Sequence, residues 1–326
     1  MPVSEAVSKQ LAVIPNSTIR FNAALSSYTR FGIGGPAAVL VDTAHPEAFL
    51  MALDVVRSAS VSNLVIGGGT NLVVADEGFD GVVLRYRGRE IRQEGELLKV
   101  DAGAVLQDVV DFSIAAGLRG LQTMPGIPGY LGGAVYGNAG AYGHSIDEII
   151  VRVHATDGQQ VIAFDNAQCR FTYRDSIFKC QKEWVILSAE MRFEKGEPCE
   201  LAREAQEIRA IRDAKYPPSM KCAGSIFKNL YFNQLPPQAQ RQVPSNIVRE
   251  GKVASAWFLE QTGVKGMRVG DIQVAPYHAN LIYNDGQGTA KDLAAVIGEL
   301  KARVRERFGF ALEEEVQYVG FESVPA

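Results

Sequence analysis

Pro125-Gly126-Ile127-Pro128-Gly129-Tyr130-Leu131-Gly132-Gly133-Ala134-Val135-Tyr136-Gly137-Asn138-Ala139-Gly140-Ala141-Tyr142-Gly143 carries seven glycines, two prolines and no charge. That density of backbone freedom argues against an ordinary helix or strand. Glycines at this spacing let the main chain come close to something flat or anionic, with N–H groups turned toward it. The prolines stiffen the entry. A plain surface loop is the competing reading, but such loops are polar, and this one holds Ile127, Leu131, Val135 and three tyrosines.

Two more glycine clusters lie upstream. Tyr28-Thr29-Arg30-Phe31-Gly32-Ile33-Gly34-Gly35-Pro36 precedes a buried strand at Ala38–Val41, and Pro46 opens a helix with Phe49, Leu50, Leu53 and Val56 at helical spacing. Leu64–Ile66 reads as a strand running into Gly67-Gly68-Gly69-Thr70-Asn71, and Leu72–Val74 as the next strand. Glycines at the carboxyl end of a strand are where open α/β folds hold phosphates. The triplet is neither a dinucleotide fingerprint, because Leu72 stands where the third glycine belongs, nor a P-loop. It is either a turn that cradles a pyrophosphate or a tight turn between strands.

A second unit follows. Gly81–Tyr86 and Leu97–Asp101 read as strands, and Val105–Ala116 as a helix burying Val105, Val109, Phe112 and Ile114 and stopped by Gly117. Beyond the central stretch, Ile149–Thr156 and Val161–Phe164 flank a hairpin signal at Asp157-Gly158, and Trp184–Phe193 alternates as a strand. Glu200–Lys215 reads as a charged helix with Leu201, Ala205, Ile208 and Ile211 on one face, ended by Tyr216-Pro217-Pro218. After it come a helix at Ala254–Thr262, strands at Asp271–Val274 and Asn280–Tyr283, and a helix from Thr289. This last helix has Asp292 at the capping-box position, an apolar face of Leu293, Val296, Ile297, Leu300, Val304 and Phe308, and Gly309 as its stop. Glu315–Val319 is a final strand.

The 326 residues are 47% hydrophobic and 21% charged with a net charge of −4, which fits a globular chain of two or three domains. The weakly acidic balance gives no electrostatic reason to expect nucleic acid or membrane as a partner. Met1–Pro15 lacks the charged and apolar regions of a signal peptide. The four cysteines form no CxxC pair and the four histidines are scattered, so a reducing, cytoplasmic setting without disulfide or metal site is expected.

Three side chains stand out as candidates for chemistry: Arg174 in Phe171-Thr172-Tyr173-Arg174-Asp175-Ser176, Ser225 in a Gly-Ser turn, and Glu315 in the run Glu313-Glu314-Glu315. Each also has a plain explanation: an ion pair with Asp175, a hydroxyl bonded to its own turn, a solvated strand carboxylate.

Together these segments, in this order, resemble the UDP-N-acetylenolpyruvoylglucosamine reductases: Tyr28–Gly35, Gly67–Leu72, Pro125–Gly133, Tyr173–Lys179, Ala223–Asn229 and Leu312–Val316. The resemblance spans about Tyr28 to Gly320. It implies an α+β protein: an FAD-binding PCMH (vanillyl-alcohol-oxidase) type fold in two subdomains, 1–85 and 86–215, then an α+β substrate domain, 216–326. It implies non-covalent FAD, NADPH as co-substrate, a nucleotide-sugar substrate and a monomer. Carried over by motif, Arg174, Ser225 and Glu315 are the catalytic set. The flavin is held by Gly67, Gly68, Gly69, Thr70, Asn71 and Leu72, and by Pro125, Gly126, Gly132, Gly133, Asn138 and Gly140. Lys215 and Asn229 touch the nucleotide-sugar.

The chain departs from the family pattern at Glu314, where Pro is common, and at Leu230, where Pro often follows Lys-Asn. No extra substrate-covering segment fits between Arg174 and Ser225, which marks the shorter type. The implied chemistry adds hydride to an enolpyruvyl carbon. A guanidinium pairs with the carboxylate where charge gathers, and a Ser hydroxyl, tuned by Lys228 or Lys265, quenches the carbanion.

Two other readings remain at this level: an oxidase on the same flavin scaffold, and a non-catalytic nucleotide-sugar binder. Many such oxidases attach flavin through His, and Gly67–Asn71 holds none; His144 is the one candidate beside the central stretch. Heat or acid is therefore expected to release FAD from the purified protein into the supernatant. Flavin absorbance that stays with the denatured chain contradicts this.

Overall fold

The structure is a computed structural model that describes residues 3–322; the outermost ends of the expected first and last domains lie outside them. The chain forms two units. One comprises residues 1–23, 37–69 and 80–218, the other residues 24–36, 70–79 and 219–326. The sequence boundary at 215/216 thus falls close to the end of the first unit at Pro218. Two stretches expected in the first FAD subdomain, 24–36 and 70–79, belong to the second unit. Local sequence could not indicate this, because their partners lie some 200 residues away: Asp76 caps the helix that starts at Ala290 (2.8 Å), and Asn284 donates to the Phe31 carbonyl (3.1 Å).

The first half of the chain runs α1 (Glu5–Ala12), β1 (Ser17–Ala24), β2 (Pro36–Thr43), α2 (Pro46–Ser58), β3 (Asn63–Ile66), β4 (Leu72–Val74), β5 (Phe79–Tyr86), β6 (Ile91–Glu94), β7 (Leu97–Asp101) and α3 (Leu106–Ala115). Then come α4 (Leu131–Tyr136), β8 (Ile150–Thr156), β9 (Val161–Asp165), α5 (Ile177–Cys180), β10 (Val185–Arg192) and α6 (Pro198–Lys215). The first unit has two sheets, in orders β1-β2-β5-β3 and β9-β8-β10-β7-β6. β3 and β5 are parallel, and the second sheet is antiparallel throughout. α1 and α2 share one core with the first sheet, built on Leu11, Phe49, Leu53, Val56, Val82 and Leu84. α3 and α4 share another with the second, built on Leu98, Val109, Leu131, Val135, Val153 and Met191.

Three readings of this half need correction. The central stretch is not wholly irregular, since Leu131–Tyr136 coils into α4. Two glycines are tolerated in this short helix because backbone bonds outside it fix its start: Leu131 N–H donates to Ala104 C=O and Gly132 N–H to Ala102 C=O, each at 2.8 Å. In α3 the buried face is Leu106, Val109, Val110 and Ser113, and Val105 is 39% exposed. Val105 is the extended N-cap, so the i, i+3, i+4, i+7 phase begins one residue later than its apolar character suggests. In α6 only Leu201 and Ala205 are buried. Ile211 is 59% exposed, because the inward stripe continues through Arg209 and Arg212, which lie against Gly126.

The second unit holds β4 and then β11 (Cys222–Ser225), α7 (Ser255–Gln261), β12 (Ile272–Val274), β13 (Leu281–Asn284), α8 (Ala290–Phe308) and β14 (Gln317–Val319). β11, β13, β12 and the short strand Arg268–Val269 form an antiparallel sheet in that order, and β14 pairs in parallel with β4. α8 follows its sequence closely. Thr289 caps it in a capping box with Asp292, all six expected apolar positions are buried, and Gly309 ends it in the left-handed conformation at φ 77°. Trp257, Phe258, Phe308 and Phe310 stack edge-on or tilted where α7 meets α8. Among the described residues no helix is long and apolar enough to cross a membrane.

Candidate active site

In the first unit, β3 delivers Gly67–Gly69 at its carboxyl end. A Cβ added at Gly67 would sit 3.6 Å from the Tyr130 ring, so the triplet abuts the central stretch. That stretch is held by the Ala102–Leu106 segment, whose Leu106 N–H donates to Gly129 C=O at 3.0 Å. Gly133 is exposed, with open space where a side chain would stand. Just upstream, Thr123 is 3% exposed and its hydroxyl finds no partner among the described residues. An orphaned buried hydroxyl beside a glycine-lined surface fits a polar cofactor that supplies the missing bond. The glycine-lined surface and the orphaned Thr123 hydroxyl fit a flavin dinucleotide. Gly126 contributes differently from the rest, because its N–H donates to Gln107 Oε1 at 2.7 Å, and Arg209 Nη1 donates to the same oxygen at 3.2 Å.

Arg174 lies in the same unit at the tip of a tight turn. Thr172 and Asp175 exchange backbone hydrogen bonds at 3.1 Å each, and Arg174 takes the left-handed conformation at φ 59°. For a long side chain that conformation costs roughly 1 kcal/mol. Lys179 Nζ donates to the Arg174 carbonyl and lies 5.9 Å from the Tyr136 ring centre. The guanidinium points at backbone carbonyls, with Nη2 donating to Gly140 at 2.9 Å and Nη1 to Asn138 at 3.5 Å. Asp175 instead accepts from the Ser176 N–H at 2.9 Å. The Tyr136 phenol is held above its ordinary range by burial first and then by the charge of Asp175.

The second unit brings Ser225 and Glu315 into adjacent register. Ser225 stands in β11 opposite Leu281, and not in a simple turn. Gly224 at φ 75° makes an irregularity in the ladder, which re-aims the residue that follows. The next residues run antiparallel to the glutamate run. Glu315 N–H donates to Ile226 C=O at 2.7 Å, Phe227 bridges Glu314, and Lys228 N–H donates to Glu313 C=O at 2.9 Å. Asn280, 2% exposed, clamps this segment: its Oδ1 accepts from Phe227 N–H and its Nδ2 donates to Phe227 C=O, both at 2.9 Å. Asn71 fastens the other side, donating from Nδ2 to the Glu315 carbonyl at 2.8 Å.

The three glutamates differ in their surroundings. Glu313 is ion-paired with Lys228, and Glu314 with Lys301 at 3.0 Å. Lys265 pairs with Glu260 at 2.8 Å. Both lysines considered for tuning Ser225 are thus paired with glutamates. Lys215 and Asn229 are exposed, the first with its ammonium 5.1 Å from the Tyr216 ring centre. Among the described residues no cluster of His, Cys, Asp or Glu is placed to hold a metal. Gln107, Thr123, Lys179 and Asn280 are the organising residues that motif reading missed. Gln107 and Asn280 act through partners distant in sequence, Thr123 through lack of one, and Lys179 through the Arg174 carbonyl five residues away, inside the motif that singles out Arg174.

A glycine-lined cradle and an orphaned buried hydroxyl fit a flavin, and comparisons with known proteins place the chain among flavin-dependent oxidoreductases. Residues 37–161 match the family model described as FAD binding domain, and residues 216–319 match UDP-N-acetylenolpyruvoylglucosamine reductase, C-terminal domain. A reductase of that name from Solibacter usitatus is 56% identical over 311 residues, 95% of this chain and 100% of that protein. One from Bacillus subtilis is 33% identical, covering 97% and 99%. The crystal structure of the Thermus caldophilus enzyme aligns with a TM-score of 0.72 at 29% identity, over 93% of this chain and 98% of that one. The chain belongs to the UDP-N-acetylenolpyruvoylglucosamine reductase family, and its fold is the expected FAD-binding fold with a C-terminal α+β domain.

Asn280→Ala is expected to destabilise the second unit by about 2–4 kcal/mol, because it leaves the buried N–H and C=O of Phe227 without partners. Urea unfolding followed by Trp257 fluorescence, in a Trp184→Phe background, reads that unit. An unchanged midpoint contradicts the clamp.

Proposed function

We propose that this chain reduces the enolpyruvyl ether of UDP-N-acetylglucosamine enolpyruvate to UDP-N-acetylmuramate for peptidoglycan, with Arg174, Ser225 and Glu315 acting on the substrate. Family membership supports the reaction. For Ser225 and Glu315 the assignment is supported above all by the bond from Glu315 N–H to Ile226 C=O, which sets Glu315 beside the residue after Ser225; for Arg174 it is supported by the two carbonyls that orient its fork. Residues of the Gly67–Leu72 loop and the central stretch would hold FAD, which when bound would supply hydride originating from NADPH.

The Arg174 fork pairs with the substrate carboxylate by two bonds, where negative charge gathers as the neighbouring carbon is reduced. Backbone carbonyls of Asn138 and Gly140 orient that fork. Ser225 delivers a proton to the carbon bearing the carboxylate. Glu315 completes the polar set around the reacting carbons, while Glu313 and Glu314 hold lysines. Lys215 and Asn229, exposed and polar, hold the nucleotide-sugar. The reaction belongs in the cytoplasm, where NADPH and nucleotide-linked sugars are made. The family resemblance supports a monomer.

Arg174→Lys keeps the charge but loses the planar fork, and it is expected to slow substrate reduction severely. A surface ion-pair arginine would be worth only about 0–1 kcal/mol, so a near-native rate in a folded variant contradicts the assignment. Ser225→Ala separates the two half-reactions. Flavin reduction by NADPH should stay near normal, and reoxidation by the enolpyruvyl substrate should slow about 10²-fold or more. Stopped-flow absorbance reads both steps. Equal slowing of the two, or of neither, rejects Ser225 as the proton donor.

A further inference from the structure

Motif resemblance puts Asn138 and Gly140 among the residues that hold flavin. The hydrogen bonds of the first unit point elsewhere. Asn138 is 4% exposed and takes the left-handed conformation at φ 43°. Its side-chain amide is turned into the protein, where Nδ2 donates to Thr172 C=O at 2.9 Å and Oδ1 accepts from Asp147 N–H at 3.3 Å. Thr172 is the first residue of the turn whose tip is Arg174, and it is closed by its paired bonds with Asp175. The Asn138 carbonyl, two residues before that of Gly140, lies 3.5 Å from Arg174 Nη1, and Gly140 C=O takes Nη2 at 2.9 Å. One residue therefore grips the base of the turn with its side chain. Its backbone segment carries the two carbonyls that orient the guanidinium at the tip.

We propose that Asn138 is the positioning residue for Arg174: it fixes the turn and the two carbonyls together, so that the guanidinium fork is already oriented when the substrate carboxylate arrives. This rests on the reading of Arg174 as the carboxylate-binding residue. Few residue types suit the position, since Asn, Asp and Gly are those that enter the left-handed region most readily. Only Asn among them offers a donor to Thr172 C=O and an acceptor to Asp147 N–H at once. Pre-orientation of this kind lowers the entropy lost on binding and affects the step in which the fork is used.

The test compares Asn138→Gly, Arg174→Ala and the double variant. Asn138→Gly preserves the backbone conformation and removes only the side-chain grip. The expected result is unchanged FAD affinity in titrations of the apoprotein and unchanged flavin reduction by NADPH. Reoxidation by the enolpyruvyl substrate should slow about 10- to 100-fold, with weaker binding of UDP-N-acetylmuramate by calorimetry. In the Arg174→Ala background, Asn138→Gly should add nothing, because residues that act as one unit are not additive.

If Arg174→Ala leaves reoxidation intact, the reading of Arg174 falls and the positioning role falls with it. If Arg174→Ala is slow but Asn138→Gly is fast, or the two multiply, only the positioning role is overturned. FAD affinity lowered tenfold or more by Asn138→Gly also overturns it, by making Asn138 a cofactor contact. Asn138→Asp keeps size and backbone while setting a carboxylate against Thr172 C=O, and it is the variant of record should the glycine form fail to fold. It is expected to slow reoxidation selectively, and equal slowing of both half-reactions, or of neither, overturns the proposal.

Discussion

The glycine-rich stretch holds its shape because its backbone is bonded to the segment Ala102–Leu106. Leu131 and Gly132 donate to the carbonyls of Ala104 and Ala102, and Leu106 donates back to Gly129. These bonds give a chain with almost no side-chain volume a fixed course, and they start α4 without a capping side chain. The close approach also explains part of the composition: a Cβ at Gly132 would come within 2.9 Å of Ala102 Cβ. Glycine here serves packing between two backbones as much as exposure of amides to a ligand. The Gly67 contact with Tyr130 and the turn around Asn138 both start from this fixed frame.

A second theme is the use of asparagine side chains to hold backbone. Asn138 grips Thr172, Asn280 grips Phe227 at both its polar groups, and Asn71 grips Glu315. Each carries a donor and an acceptor on a short stem, so it substitutes for a missing strand neighbour without adding charge. Loops held this way keep their orientation in the absence of regular ladders. The residues that carry the proposed chemistry, Arg174, Ser225 and Glu315, all lie in or next to segments gripped in this manner. The strain at Arg174, a left-handed non-glycine residue, is sustained by the same bonds and by Lys179 on its carbonyl.

Lys228, Lys301 and Lys265 are each paired with a glutamate, and Arg174 is oriented by neutral carbonyls. Carbonyl dipoles fix the direction of the fork without themselves carrying a formal charge.

By itself the sequence determined the elements with a strong local signal, though it left α1 and β1 unread. α8 came with its cap, its six buried positions and its terminal glycine, because a helix of that length expresses its period and its ends within its own residues. The ordered motifs carried the family, since chemistry constrains residue type at fixed places along the chain. The tertiary structure alone decided matters that depend on partners distant in sequence. It moved 24–36 and 70–79 into the second unit, shifted the buried face of α3 by one residue, turned Ile211 outward in favour of Arg209 and Arg212, and made Ser225 part of a bulged strand. It also assigned the amides of Asn138, Asn71 and Asn280 to backbone groups some 34, 244 and 53 residues away. A hydrogen bond across such a separation leaves no periodic or compositional trace, so only the folded chain reveals it.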